Sequence, residues 1–321
     1  MSRILDGKIV AHQIKSTVKE YIERNDAHLN LTIVQVGDNP ASNTYIRNKV
    51  KACEEVGIQS TVLKFDNLEE YDRCVDITDS LKHVTGTGAM LQLPLPQGWD
   101  ESYFVNLIPS RQDADCLTNE SLGKFYSSSN PYIAPCTAQG IIDLLDFYNI
   151  DLEGKRALVI GRSNIVGRPI AHLLETRNAT VTLAHSKTRR SDLLRLFAIS
   201  DIVITAVGRP DFITEEDAYQ YNKDYRHDFY SYFETKSNRV IIDVGINRDE
   251  NGKLCGDLSE EFKAKYSAAY SPVPGGVGPL TVANLLYNTV KLHHQEQKMI
   301  PNQSTDSTNN IKDKIPKVYG L

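Results

Sequence analysis

The apolar run Ala157-Leu158-Val159-Ile160 leads into Gly161-Arg162-Ser163-Asn164-Ile165-Val166-Gly167-Arg168-Pro169, and apolar periodicity then continues through Leu173-Leu174. The order is strand, glycine-bearing turn, helix, which points to the βαβ unit of a parallel sheet. It also predicts where a ligand would sit. A helix N-terminus presents unpaired backbone N–H groups and a partial positive charge, a natural seat for a pyrophosphate. Gly161 allows the sharp turn, Gly167 lets helix and strand approach, and Ser163 offers a hydroxyl donor. The spacing is Gly-x-Ser-x-x-x-Gly rather than the usual Gly-x-Gly-x-x-Gly, so on this motif alone a tight turn without a ligand stays open.

The rest of the chain repeats the pattern. Helical periodicity covers residues 9–21, 44–56, 70–81, 137–148 and 282–292. Short β-type runs fall at 31–36, 60–65, 89–93, 157–160, 180–184, 202–206 and 240–244. Alternation of this kind predicts an α/β chain in two domains. The first is an α/β domain over 1–136, with a helix at 281–296 packing back on it. The second, over 137–280, is a Rossmann-type domain with a doubly wound parallel sheet. Residues 215–238 are rich in tyrosine and charge where a short connection would suffice, and 297–321 reads as a polar, disordered tail. A net charge of −5 argues against a generic nucleic-acid binder. No apolar stretch reaches the roughly 18 residues of a membrane span, and no secretory signal is visible at Met1–Lys8. Five scattered cysteines without a Cys-x-x-Cys pair fit neither a metal site nor a disulfide framework, so the reducing cytoplasm is the expected compartment.

Tyr45 and Lys49 lie four apart on a predicted helix and project from one face. Ile46, Val50 and Cys53 serve the core face better, which would leave Tyr45 and Lys49 at its edge, facing a cleft or solvent. A lone lysine there normally reads as a solvated charge. The surrounding pattern argues otherwise. Ser42-Asn43-Thr44-Tyr45-Ile46-Arg47-Asn48-Lys49, Gly88-Ala89-Met90-Leu91-Gln92-Leu93-Pro94-Leu95-Pro96, the 161–169 turn, and Ser271-Pro272-Val273-Pro274-Gly275-Gly276-Val277-Gly278-Pro279-Leu280-Thr281 together closely resemble one family. It is the bifunctional methylenetetrahydrofolate dehydrogenase/methenyltetrahydrofolate cyclohydrolase family, and the resemblance runs from Ile4-Leu5-Asp6-Gly7 to about Leu292.

The resemblance implies a chemistry. The family oxidises 5,10-methylenetetrahydrofolate with a nicotinamide cofactor, then hydrolyses the methenyl cation to 10-formyltetrahydrofolate. Lys49 would be the cyclohydrolase base or proton relay, Gln92 would orient it, and Tyr45 would stack beside the substrate ring. A lysine lined by apolar groups and an amide can lose its proton easily enough to accept one. Asp115 matches the pterin-binding aspartate, and Pro274, Gly275 and Gly276 the substrate loop. Gly161, Arg162, Ser163, Ser186 and the backbone of Ile246 would hold the cofactor. No metal is implied. The partners are tetrahydrofolate derivatives, with a homodimer as the expected assembly and no nucleic acid or membrane.

Two departures bear on Asp115: Gln112 replaces a lysine and Cys116 a glycine. If that glycine serves a positive φ, Cys116 adds strain. Ala138 likewise stands where a proline is usual at a helix start, which looks mild. Cofactor choice follows from His185-Ser186-Lys187-Thr188-Arg189-Arg190 and from Arg162. NAD sites place an acid about 20 residues past the glycines, whereas here the charge is positive, which suits the 2′-phosphate of NADP. Other readings are a dehydrogenase with impaired cyclohydrolase activity, a shikimate-type dehydrogenase, or a non-catalytic nucleotide-binding protein. The Pro-Val-Pro-Gly-Gly string argues against the shikimate type, and Lys49, Gln92 and Asp115 together against the non-catalytic one.

Overall fold

The apolar run beginning at Leu31 forms the middle of a three-stranded parallel sheet, and the run beginning at Ala157 forms the second strand from one edge of a six-stranded one. The computed structural model describes residues 2–65, 71–128, 131–224, 233 and 238–299. Its contacts divide the chain into two units, His12–Cys136 with Val282–Leu321, and Met1–Ala11 with Thr137–Thr281.

The three-stranded unit carries β2 (Asn30–Val36), β3 (Gln59–Phe65) and β4 (Gly88–Leu91) in the order β3-β2-β4. Its helices are α2 (Pro40–Val56), α3 (Tyr71–Lys82), α4 (Glu101–Val105) and α5 (Asn119–Tyr126). Helices α1 (Gly7–Asn25) and α11 (Val277–Met299) contribute most of their length to this unit. Every residue of β2 after Asn30 is buried, as expected of a central strand covered on both faces. Helix α2 has clear boundaries. The Asn39 side chain accepts from the N–H groups of Ala41 and Ser42, Pro40 takes the first turn, and Gly57 ends the helix at φ 88°.

The six-stranded sheet contains β1 (Arg3–Ile4), β5 (Arg156–Ile160), β6 (Thr180–Ala184), β7 (Ile202–Thr205), β8 (Val240–Asp243) and β11 (Ala269–Tyr270). Their order is β1-β11-β8-β7-β5-β6, all parallel. Strands β6 and β7 flank β5 on opposite sides, so the chain reverses direction across the sheet there, the point at which α/β sheets bind ligands. Helices α6 (Cys136–Phe147), α7 (Gly167–Thr176), α8 (Arg190–Ile199), α9 (Glu215–Asp224) and α10 (Glu260–Tyr266) accompany it, with a hairpin of β9 (Asn247–Arg248) and β10 (Leu254–Cys255). A cluster around Leu158, Phe197, Val203, Ile241 and Phe262 forms the core of this unit.

The N-terminal segment departs from the expected 1–136 unit. Met1–Ala11 groups with the six-stranded sheet because β1 pairs in parallel with β11, Arg3 opposite Ala269 and Ile4 opposite Tyr270. Part of 215–238 is the helix α9, and the rest, apart from Phe233 and Asn238, lies outside the described residues, as does the tail from residue 300. Among the described residues no helix is long and apolar enough to cross a membrane, and no group of His, Cys, Asp and Glu could hold a metal ion.

Candidate active site

Lys49 is buried, only 6% exposed, on the same face of α2 as Ser42, Ile46, Cys53 and Val56. The expectation that it would sit at the helix edge therefore needs correction. Spacings of three and four bring it onto the inward stripe, while Val50 is only half-buried and Tyr45, one turn earlier, keeps a partly exposed ring. The ammonium nitrogen donates to Gln92 Oε1 at 2.8 Å and lies 3.2 Å from Met90 Sδ. Gln92 follows β4, and its own amide nitrogen donates to the Leu93 carbonyl at 2.7 Å, which fixes the amide with its oxygen toward Lys49. Burial lowers the Lys49 pKa, opposed by the nearby Asp115 carboxyl and the thiols of Cys136 and Cys53. Burial also keeps the Tyr45 hydroxyl protonated to higher pH.

Asp115 belongs to a loop held at several points. Ala114 N–H donates to the Ala89 carbonyl at 3.0 Å, beside β4. The Asn288 side chain on α11 donates to the carbonyls of Ala114 (2.9 Å) and Ala134 (3.0 Å). The turn-capping role open to an aspartate here falls to Asp113, whose buried carboxylate accepts from Thr118 N–H at 2.8 Å. Asp115 is thereby left for other work. Burial raises its pKa, with Lys49 pulling the other way, and the nearby Cys136 thiol donates to the Ala114 carbonyl at 3.4 Å. Burial pushes the Cys136 thiol well above its ordinary range, so it stays a protonated donor. A lysine and a carboxyl, each pushed toward its neutral form, lie close enough to influence each other, with an oriented amide on the lysine.

Gln112 donates to the carbonyls of Val84 (3.0 Å) and Gly86 (2.8 Å), a structural staple in place of a lysine. Cys116 has φ 58°, so the glycine that usually stands here would serve a left-handed backbone, and the cysteine carries strain. Its side chain is fully buried. In Cys116→Gly, relief of about 1 kcal/mol of strain should roughly cancel the lost packing, whereas Cys116→Val should cost about 2 kcal/mol or more. Urea unfolding of the two variants compares these outcomes.

In the six-stranded unit, Gly161 has φ 125°, and a Cβ there would stand 2.3 Å from the Ala206 carbonyl oxygen. A Cβ on Gly167 would stand 2.1 Å from the Gly161 oxygen, so strand, turn and α7 meet at backbone distance. Ser163 Oγ accepts from the N–H groups of Val166 (3.1 Å) and Gly167 (3.4 Å), so the hydroxyl first serves as a cap for α7. Arg162 and Ser186 each lie two residues beyond the register partners Ile160 and Ala184, at the carboxyl ends of adjacent strands. Both are exposed. Arg190, by contrast, is committed to Asp217 and the Phe212 carbonyl. Ile246 exposes 51% of its surface just beyond β8. The residues present fit NADP: a backbone cradle with no room for a Cβ, a helix N-terminus, and the exposed Arg162.

Pro274, Gly275 and Gly276 follow β11, with Val273-Pro274 a cis peptide. Gly7 N–H donates to the Gly275 carbonyl at 2.9 Å, and a Cβ on Gly7 would stand 1.8 Å from the Gly276 oxygen. Sequence reasoning did not assign roles to Gly7, Cys136 or Asn288. Gly7 stands within the N-terminal Ile-Leu-Asp-Gly string, and a buried thiol or amide has no periodic signature.

Comparison with known proteins identifies the family. Residues 5–115 match the model of the tetrahydrofolate dehydrogenase/cyclohydrolase catalytic domain, and residues 135–221 and 228–297 that of the NAD(P)-binding domain of the same family. The bifunctional protein FolD of Lacticaseibacillus casei is 40% identical over 296 residues, covering 91% of this chain and 98% of its own length. The bifunctional FolD structure from Campylobacter jejuni is 36% identical with a TM-score of 0.79, covering 92% of this chain and 100% of that one. A Trypanosoma brucei methylenetetrahydrofolate dehydrogenase-cyclohydrolase, solved with NADP and an inhibitor, is 30% identical with a TM-score of 0.79, covering 92% and 99%. The chain belongs to the tetrahydrofolate dehydrogenase/cyclohydrolase family.

Proposed function

We propose that this chain oxidises 5,10-methylenetetrahydrofolate to the methenyl cation with NADP⁺ and hydrolyses that cation to 10-formyltetrahydrofolate. The observation that carries the reading is the buried Lys49–Gln92 pair beside Asp115. The NADP-bound relative and the basic groups Arg162 and Lys187 support the cofactor.

NADP⁺, when bound, accepts the hydride. The chain supplies alignment and proton handling. Asp115 accepts hydrogen bonds from the pterin edge, charged acceptors being the stronger ones. Tyr45 stacks along the ring. In the second step a water adds to the methenyl carbon. Lys49, its proton readily lost because of burial, takes the water proton. The N5–carbon bond then breaks, a proton goes to N5, and the formyl group stays on N10. The cation itself favours an uncharged Lys49, since a fixed ammonium beside it would repel it. Because Lys49 must be deprotonated to act as base, hydrolysis should rise as pH climbs through its lowered pKa.

A spectroscopic assay following methenyltetrahydrofolate formation and decay with NADP⁺ and NAD⁺ tests the whole reading. Formation without decay above the uncatalysed rate would leave a dehydrogenase only. For Asp115→Asn, folate binding should weaken by about 1.5–3 kcal/mol in both activities, the worth of one charged hydrogen bond. Titration of the variant with folate checks this, and wild-type affinity would remove Asp115 from the site. We assign the enzyme to the cytoplasm as a homodimer. Buried free thiols at Cys53, Cys116 and Cys136 fit a reducing compartment, and β6 leaves a sheet edge with Leu183 exposed for a second copy to cover. Sedimentation velocity reads the assembly.

A further inference from the structure

Lys263 on α10 has no exposed side-chain surface. Its ammonium lies 2.7 Å from Glu260 Oε1 and 3.3 Å from Asp243 Oδ2, and donates to the Ser271 carbonyl at 3.1 Å. Each carboxylate in turn holds a different loop. Asp243 Oδ1 accepts from the N–H groups of Gly245 (3.0 Å) and Asp257 (2.9 Å), and Oδ2 from Leu258 N–H (3.0 Å). Glu260 Oε1 accepts from Val273 N–H at 3.0 Å, one residue before Pro274. The loop after β8 and the loop after β11 are thus tied to one buried cation.

We propose that Lys263 is a positioning residue for hydride transfer, holding the Ile246 loop and the 273–276 loop in fixed register with each other. The inference rests on assigning Ile246 to the nicotinamide half of the cofactor and 274–276 to the folate. Fold stability gives little reason for such a group. A buried ion pair replaced by apolar side chains often leaves a protein as stable or more so, whereas a point charge with three donors fixes geometry. Hydride transfer is sensitive to that geometry, since a misplacement of about 1 Å can cost roughly 10²-fold in rate. Arg239, also buried, makes a useful contrast: it donates to the carbonyls of Ala198, Ser200 and Tyr266, which belong to neither loop.

The test compares Lys263→Met and Glu260→Gln with wild type in the full-length enzyme. Glu260 is 43% exposed at its side chain, so its charge can be removed with less burden on folding. Amide hydrogen exchange in the ligand-free protein reads the two loops directly. Single-turnover hydride transfer and the folate KM read the consequence, and affinity for 2′,5′-ADP reads the phosphate pocket alone. Lys263→Met should speed exchange in both loops, slow hydride transfer about tenfold or more, and raise the folate KM, with 2′,5′-ADP affinity unchanged. Glu260→Gln should move only the 273–276 loop and the folate KM. Unaltered loop exchange in Lys263→Met overturns the proposal. So does faster exchange throughout the unit with activity falling in step with the folded fraction, the mark of a purely structural lysine. Should Lys263→Met fail to fold, Glu260→Gln decides, and wild-type exchange and folate KM there overturn it. Faster loop exchange with wild-type hydride transfer and folate KM overturns it on separate ground, because the loops would then not be those that folate and nicotinamide use.

Discussion

In Lys49→Met, hydrolysis of methenyltetrahydrofolate is expected to fall by about 10²–10⁴-fold, the usual contribution of a positioned acid–base group, while NADP-dependent oxidation survives at least in part. Water must give up a proton as it attacks the methenyl carbon, whereas hydride transfer to the cofactor requires no protein base. Methionine keeps the length and apolar stem of lysine, so the inward stripe of α2 retains its packing, and the lost element is the nitrogen beside Gln92. Stability should hold or improve, since the variant removes a buried ionisable group. The pH dependence has a definite sign. Lys49 binds its proton less tightly in the folded chain than the ordinary 10.5 of an exposed lysine. Between the lowered value and 10.5 the unfolded chain holds more protons, so this group makes stability rise with pH across that window. Lys49→Met should lack that rise. Cyclohydrolase and dehydrogenase rates measured side by side, with thermal melts across alkaline pH, check each part. Undiminished hydrolysis would exclude Lys49 as the base.

The long elements were legible because burial periodicity is written directly in residue order. The stripe through Ile46 and Cys53 and the runs at Leu31, Ala157, Ile202 and Val240 all became helix or strand within a few residues of their predicted limits. The two-residue strands β1 and β11 carry no period, so the transfer of the N-terminus to the six-stranded sheet had no local signal. The same limit applied to charge. Lysine is seldom buried, so Lys49 reads as an edge residue, and the partners of its nitrogen, Gln92 and Met90, stand far along the chain. Lys263, following Glu260-Glu261, reads as one more solvated charge on a short helix, yet its partners come from β8 and from the residue after β11. The missing glycine at Cys116 raises the question of a positive φ, and the backbone there is left-handed at φ 58°. Local backbone demands leave a trace in sequence, whereas long-range polar pairing does not.

Cofactor preference gives the other large effect: NADP should be favoured over NAD, and the preference should depend on Arg162 and Ser186. The 2′-phosphate is the only chemical difference between the two cofactors, so discrimination must come from groups placed around it. The parallel register of β5 with β6 sets Ile160 beside Ala184, and Arg162 and Ser186 follow at matching offsets. Arg190 is engaged with Asp217, and so the exposed Arg162 is the better candidate of the two for the phosphate. Its forked donor matches phosphate geometry, and Ser186 offers a hydroxyl where an NAD enzyme would present a carboxylate. One charged hydrogen bond is worth about 1.5–3 kcal/mol, roughly 10- to 150-fold in affinity. Arg162→Ala should therefore lose most of the preference. Ser186→Asp should do more, because it sets a negative charge against the phosphate and actively repels NADP. The measurement is kcat/KM for both cofactors in wild type and the two variants at one fixed salt concentration, since exposed charges are screened by ions. A wild-type enzyme that favours NAD, or an Arg162→Ala variant with its selectivity intact, would sink the assignment of these residues to the phosphate.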